Sequence, residues 1–165
     1  MPQRPVLSVI ALRDSSLGRH ALLQERSKAH DDTPYSGYLE LPQGRVSEGE
    51  SVNSFARYKV QSESGLEVVE FLCGGEEDST RRDQSLTAIS HPLCCVSDVS
   101  QNHLAICVVA LVTGDPVSSR DASNHRWCGM DELAELVLKP RMVFPLNVPM
   151  VQELLHRASE FKLAR

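Results

Sequence analysis

The residues with the greatest chemical capacity lie between Gly37 and Leu66. The stretch reads Gly-Tyr-Leu-Glu-Leu-Pro-Gln-Gly-Arg-Val-Ser-Glu-Gly-Glu, then a more periodic segment. Gly44 belongs in a tight turn, and Arg45 beside it is a loop guanidinium within reach of a phosphate. Glu50 falls where a helix N-terminus favours negative charge. Lys59, Ser62 and Glu63 are spaced i, i+3 and i+4, so they share one helical face. Lys59 and Glu63, one turn apart, can form a surface ion pair worth about half a kcal/mol. Glu76, Glu77 and Asp78 precede Arg81 and Arg82 and read as a solvated loop of mixed charge. Cys73, Cys94, Cys95, Cys107 and Cys128 are odd in number, lack a C-x-x-C pair, and have no histidine at zinc-ligand spacing. They are expected to be buried or half-buried thiols in a reducing compartment.

The elements that must position these groups follow from hydrophobic period. Val6–Leu12 is apolar at nearly every position, as in a strand covered on both faces. His20–Ser27 reads as the returning strand of a hairpin, 28–37 as a polar loop, and Tyr38–Leu41 as a short extended piece ended by Pro42. From Ser51 the period changes: Val52, Phe55, Ala56 and Val60 mark an amphipathic helix. Ser51 is its expected N-cap and Gly65 its left-handed C-terminal stop. Val68–Cys73 is a strand, 74–83 a loop, and Ala88–Val96 an irregular strand weakened by Pro92. His103–Thr113 is the most hydrophobic run and the predicted central strand. Residues 114–125 look loop-like, with a last short strand at His125–Cys128. Met130–Lys139 is a helix, and Asn147 caps a final one whose apolar face is Val151, Leu154, Leu155, Ala158 and Phe161. This order predicts an α/β (α+β) sandwich, a mixed sheet between helices, formed by residues 1–165 as one domain.

The stretch from Gly44 to Leu66 resembles the box of the MutT/Nudix pyrophosphohydrolases: Gly, five residues, Glu, seven residues, Arg-Glu, apolar, any, Glu-Glu, any, Gly, apolar. Here Gly44, Glu50, Val60, Glu63, Gly65 and Leu66 match, while Tyr58, Lys59 and Ser62 stand where the family has Arg, Glu and Glu. Tyr38–Arg45 is similar to the Leu-Pro-x-Gly segment leading into the box, and His125–Leu133 to the family's Trp-containing strand end. The resemblance implies a Nudix fold and hydrolysis of a nucleoside diphosphate linked to another moiety, such as ADP-ribose or a dinucleoside polyphosphate. It implies Mg²⁺ or Mn²⁺ held by Glu63, the Gly44 carbonyl and acids outside the box, Glu76–Asp78 or Asp121 being available, with Glu50 and Glu63 as catalytic carboxylates. Hard divalent cations take oxygen ligands, and they neutralise charge gathering on a diphosphate.

Lys59, Ser62 and Glu63 sum to no net charge, where the family's three glutamates carry −3. An ammonium about 6 Å from a dication costs several kcal/mol at an effective dielectric of ~20. Two expectations therefore stand side by side: a weak hydrolase, and a lapsed Nudix domain serving as a nucleotide- or RNA-binding or assembly module. In the second, Lys59 supplies a fixed positive charge in place of the metal, and Arg45 and Lys59 bind phosphate.

Composition agrees with either. The 165 residues are 41% hydrophobic and 24% charged, with net charge −5, which argues against a nucleic-acid coat protein. No apolar run approaches the roughly 18 residues of a membrane span, so no membrane partner is expected. The thiols place the chain in the cytoplasm or another reducing compartment, the mitochondrion included.

Overall fold

The computed structural model describes residues 5–27 and 35–165; most of the polar loop expected at 28–37 lies outside them. The elements are β1 (Val6–Ser15), β2 (Gly18–Arg26), β3 (Leu39–Glu40), β4 (Gln43–Arg45), α1 (Val52–Ser64), β5 (Glu67–Cys73), β6 (Glu77–Arg82) and β7 (Ser85–Ile89). They continue with β8 (Cys94–Asp98), β9 (His103–Thr113), β10 (Ala122–Cys128), α2 (Met130–Leu138), a 3₁₀ turn at Pro145–Asn147, and α3 (Val148–His156). The main sheet runs β10-β2-β1-β9-β5, with β3 on β2, β4 on β1 and β8 on β9. Among the strands of the described residues only β1 and β9 pair in parallel, so the sheet is mixed.

The central strands are apolar throughout because both faces are covered. Leu7, Val9 and Ala11 of β1 join Val108 and Ala110 of β9 in packing against Phe55, Ala56 and Val60 of α1. With strand period two, Ile10 and Leu12 of β1 and Val109 of β9 point the other way. They meet Leu133 of α2 and Met150, Val151 and Leu154 of α3. Each buried Leu or Ile here contributes about 1.5–3 kcal/mol by leaving water.

The ends of α1 follow the expectation: the Ser51 hydroxyl accepts the Ser54 N–H at 3.1 Å. Gly65 at φ 72° directs its N–H to the Gln61 carbonyl. The anion at the N-terminus is Glu76, however, and not Glu50. Its carboxylate accepts the N–H groups of Val52 and Asn53, and the Asn53 side chain accepts the Glu76 N–H at 2.8 Å. Glu76 is therefore no solvated loop acid.

Element bounds also depart from expectation, and the strand expected at Ala88–Val96 is split around Pro92 into the end of β7 and the start of β8. The loop predicted at 74–83 contains β6, which pairs with β7 in a separate hairpin whose strand residues are all exposed. With neither face buried, the strands carry no hydrophobic alternation to read. The strand predicted from His125 begins at Ala122; a bulge near Asn124, at φ 46°, interrupts its pattern. The final helix ends at His156, so Ala158 and Phe161 follow it, though Phe161 is still buried.

Asn147 precedes α3 as expected, yet its amide caps nothing. It turns inward, accepting the Leu41 N–H at 3.1 Å and donating to Gln43 Oε1 at 2.8 Å. Asn147→Ala strips the partner from a buried backbone donor and should cost about 2 kcal/mol in urea unfolding. A loss below about half a kcal/mol would show that this amide is dispensable.

Candidate functional site

The polar interior arises where one strand edge is shared. Along β1, β2 pairs only with Leu12–Ser15, while β4 pairs with Val6–Ser8. Beyond its turn β2 leaves β1 and takes β3, with Gln24 opposite Glu40. The gap between the diverging strands holds the buried side chains of Gln24, Glu40, Gln43 and, from the end of α1, Glu63.

Glu63 is 1% exposed. Its Oε1 accepts from the Lys59 ammonium at 3.2 Å, and its Oε2 accepts from Gln24 Nε2 at 2.7 Å and the Gln43 N–H at 3.4 Å. Glu40 accepts from Arg26 Nη1 at 2.8 Å and Gln43 Nε2 at 3.3 Å. Gln43 thus joins two ion pairs, and its own Oε1 accepts from Ser8 and Asn147. Two carboxylates face two cations, which is how an interior tolerates ionised groups.

The Lys59 stem lies across Gly44. Gly44 is a residue of β4 opposite Leu7 and not the tight turn expected; a Cβ there would come 2.5 Å from Lys59 Cε and 3.1 Å from its Nζ, so the position accepts only glycine while this lysine is folded inward. Ser62 points to solvent and bonds back to the Lys59 carbonyl at 3.3 Å. Residues 59 and 63 therefore meet, but 62 stays outside. Glu50 is half-buried, and among the described residues its carboxylate has no hydrogen-bond or ion-pair partner. Tyr58 is exposed.

Against this polar core opens a cleft of about 200 Å³ whose walls include Arg26, Gly44, Arg45, His103 and Phe144. The Arg26 guanidinium lies 4.8 Å from the centre of the Phe144 ring, a cation–π contact. Arg45 is exposed at the rim, held by the pairing of β4 with Val6. No spacing in the sequence marks Arg26, His103, Phe144, Gln24, Gln43 or Glu40. They come from four separate segments with no shared motif.

His125 of β10 donates from Nε2 to the Glu63 carbonyl at 3.1 Å. Burial holds its imidazole below the ordinary histidine pKa of 6.5. The unfolded chain therefore takes up this proton at higher pH than the folded one, and stability falls as pH drops through about 6.5. His125→Asn should flatten that part of the stability–pH curve. Parallel curves for the two proteins would show that His125 carries no such linkage.

A divalent cation does not fit these residues. Both Glu63 oxygens are engaged by protein donors, and an ammonium and its stem cover Gly44. Among the described residues, no three His, Cys, Asp or Glu side chains converge as a metal would need.

The family model of the NUDIX domain matches residues 2–151. This chain belongs to the Nudix family. Among solved structures, the NUDIX domain of Shewanella oneidensis NrtR complexed with ADP ribose aligns with TM-score 0.65 at 17% identity, over 95% of this chain and 89% of that one. A NUDIX hydrolase from Nitrosomonas europaea aligns with TM-score 0.64 at 16% identity, over 99% and 77%. A MutT NUDIX hydrolase from Burkholderia pseudomallei gives 0.56 at 18%, over 92% and 99%. These likenesses bear on the Nudix fold, which the mixed sheet between α1 and the α2–α3 pair reproduces. No significant match is found among curated proteins. No helix of the described residues is long and apolar enough to cross a membrane. Nudix hydrolases generally use divalent ions such as Mg²⁺.

Proposed function

We propose that this Nudix chain binds a nucleotide whose diphosphate links the nucleoside to another group, and that metal-dependent hydrolysis has lapsed. One observation carries the reading: the Lys59 ammonium, bonded to buried Glu63, lies over Gly44. Arg45 and Lys59 supply positive charge to the diphosphate, the one from the rim and the other from beside Gly44. Phe144, with Arg26 stacked on it, offers a flat surface for a base or sugar. Glu63 serves as the counter-ion that holds Lys59, and Glu50 remains a loop carboxylate. The ADP ribose complex of the NrtR NUDIX domain supports this ligand class.

The test is calorimetric titration of ADP-ribose, a dinucleoside polyphosphate and a capped RNA end, in EDTA and in Mg²⁺. At least one ligand should bind equally well in both buffers. Arg45→Ala should weaken it by about tenfold, the worth of one charge-assisted hydrogen bond. Turnover with Mg²⁺ or Mn²⁺ that vanishes in Glu63→Gln would overturn the lapse and restore the hydrolase reading.

A further inference from the structure

Three thiols gather where two strands meet end to end. β5 and β8 occupy the same edge of β9: β5 pairs with Val109–Thr113 and β8 with His103–Cys107. The β6–β7 hairpin is an excursion from that junction. Cys73 closes β5, Cys94 opens β8, and Cys107 lies between them on β9, all packed into the core beneath α3. Cys94 and Cys107 are direct cross-strand partners. Cys95, the next residue along β8, is exposed, so the expectation of uniformly buried thiols fails there.

We infer that Cys94 and Cys107 form a peroxide-oxidisable dithiol, Cys94 being the sulfur attacked first and Cys107 the one that resolves it. Directly opposed residues of an antiparallel pair have Cα atoms about 4.5–5.5 Å apart, within the span a disulfide bridges. Cys94 is half-buried and open to a small oxidant, whereas Cys107 is fully buried. A hydrogen bond from Cys107 and the nearby Arg157 favour the Cys94 thiolate, against burial and Glu153. Burial keeps the Cys107 thiol protonated. Cys73 is a poorer resolver, because its Sγ bonds to the His91 carbonyl at 3.3 Å and it does not lie opposite Cys94.

In the first step the Cys94 thiolate attacks a peroxide oxygen. The S–O bond forms, the O–O bond breaks, and the departing hydroxide takes a proton to become water. In the second, the Cys107 sulfur attacks the Cys94 sulfenic acid. The S–S bond forms, the S–O bond breaks, and hydroxide leaves with the Cys107 proton as water. The two sulfurs lose two electrons in all, and the peroxide gains them.

The experiment treats the reduced full chain with hydrogen peroxide, alkylates the remaining thiols, and maps peptides by mass spectrometry. No Lys or Arg lies between Arg82 and Arg120, so cleavage at Asp98 is used to separate the two cysteines. The expected product is a Cys94–Cys107 link that dithiothreitol reverses, that persists in Cys95→Ser, and that raises the melting temperature by about 5–10 °C. Cys94→Ser should abolish it, and Cys107→Ala should leave a Cys94 sulfenic acid that dimedone traps. Sulfinic acid at Cys94 without a link in the wild type would overturn the inference. So would a link from Cys94 to Cys73, or a wild type with all five thiols still reduced.

Discussion

Lys59→Met is expected to destabilise the fold by about 3–5 kcal/mol, the cost of removing one member of a buried ion pair. Read as a surface i,i+4 pair, the same substitution would cost only about half a kcal/mol. Burial decides between the two figures: Glu63 is 1% exposed, and the Lys59 side chain 19%. Without the ammonium, the carboxylate keeps only the neutral donors Gln24 Nε2 and the Gln43 N–H. Methionine has nearly the shape of the lysine stem, so the contact over Gly44 survives and the loss reports charge. Lys59→Met with Glu63→Gln removes both charges while keeping an acceptor for Gln24, and should recover most of the stability. Urea unfolding measures both. A loss below about 1 kcal/mol for Lys59→Met alone would mean that the pair is solvated after all.

The second large effect runs the other way. Lys59→Glu with Ser62→Glu should give a protein that is unstable in EDTA and is rescued by Mg²⁺, while the wild type is indifferent to the ion. In EDTA the new carboxylate at 59 stands beside buried Glu63, and like charges at ~6 Å repel by about 3 kcal/mol at an effective dielectric of 20. Mg²⁺ turns that repulsion into ligation, and a ligand at a hundred times its Kd adds about 2.7 kcal/mol. Ser62 is exposed, so Glu at 62 joins from the rim and the burial penalty falls on 59 and 63. Unfolding midpoints in EDTA and in Mg²⁺ give the answer. A variant equally stable in both buffers would show that Lys59 is not what keeps the cation out.

The i, i+3, i+4 spacing of 59, 62 and 63 correctly put Lys59 within reach of Glu63. It could not tell that Glu63 turns into the sheet and Ser62 to solvent, because spacing describes a helix before anything packs on it. Gly44 was expected in a turn but lies in β4 opposite Leu7, and the lysine stem filling the space of its missing side chain has no signal in the sequence. Glu76 looked like one acid among several, and became the anchor of the α1 N-terminus only once β5 had carried it there.

What this sequence determined by itself is what depends on near neighbours. The apolar runs of β1 and β9 and the Ser51 and Gly65 limits of α1 are of that kind, since period and caps act within a few residues. Tertiary structure alone decided the pairs that cross the sheet. Gln24 reaches Glu63 from 39 residues away, Asn147 reaches Gln43 from 104, and Cys94 faces Cys107. Strand order and register set those meetings, and a one-residue slip in either strand would exchange its buried face for its exposed one.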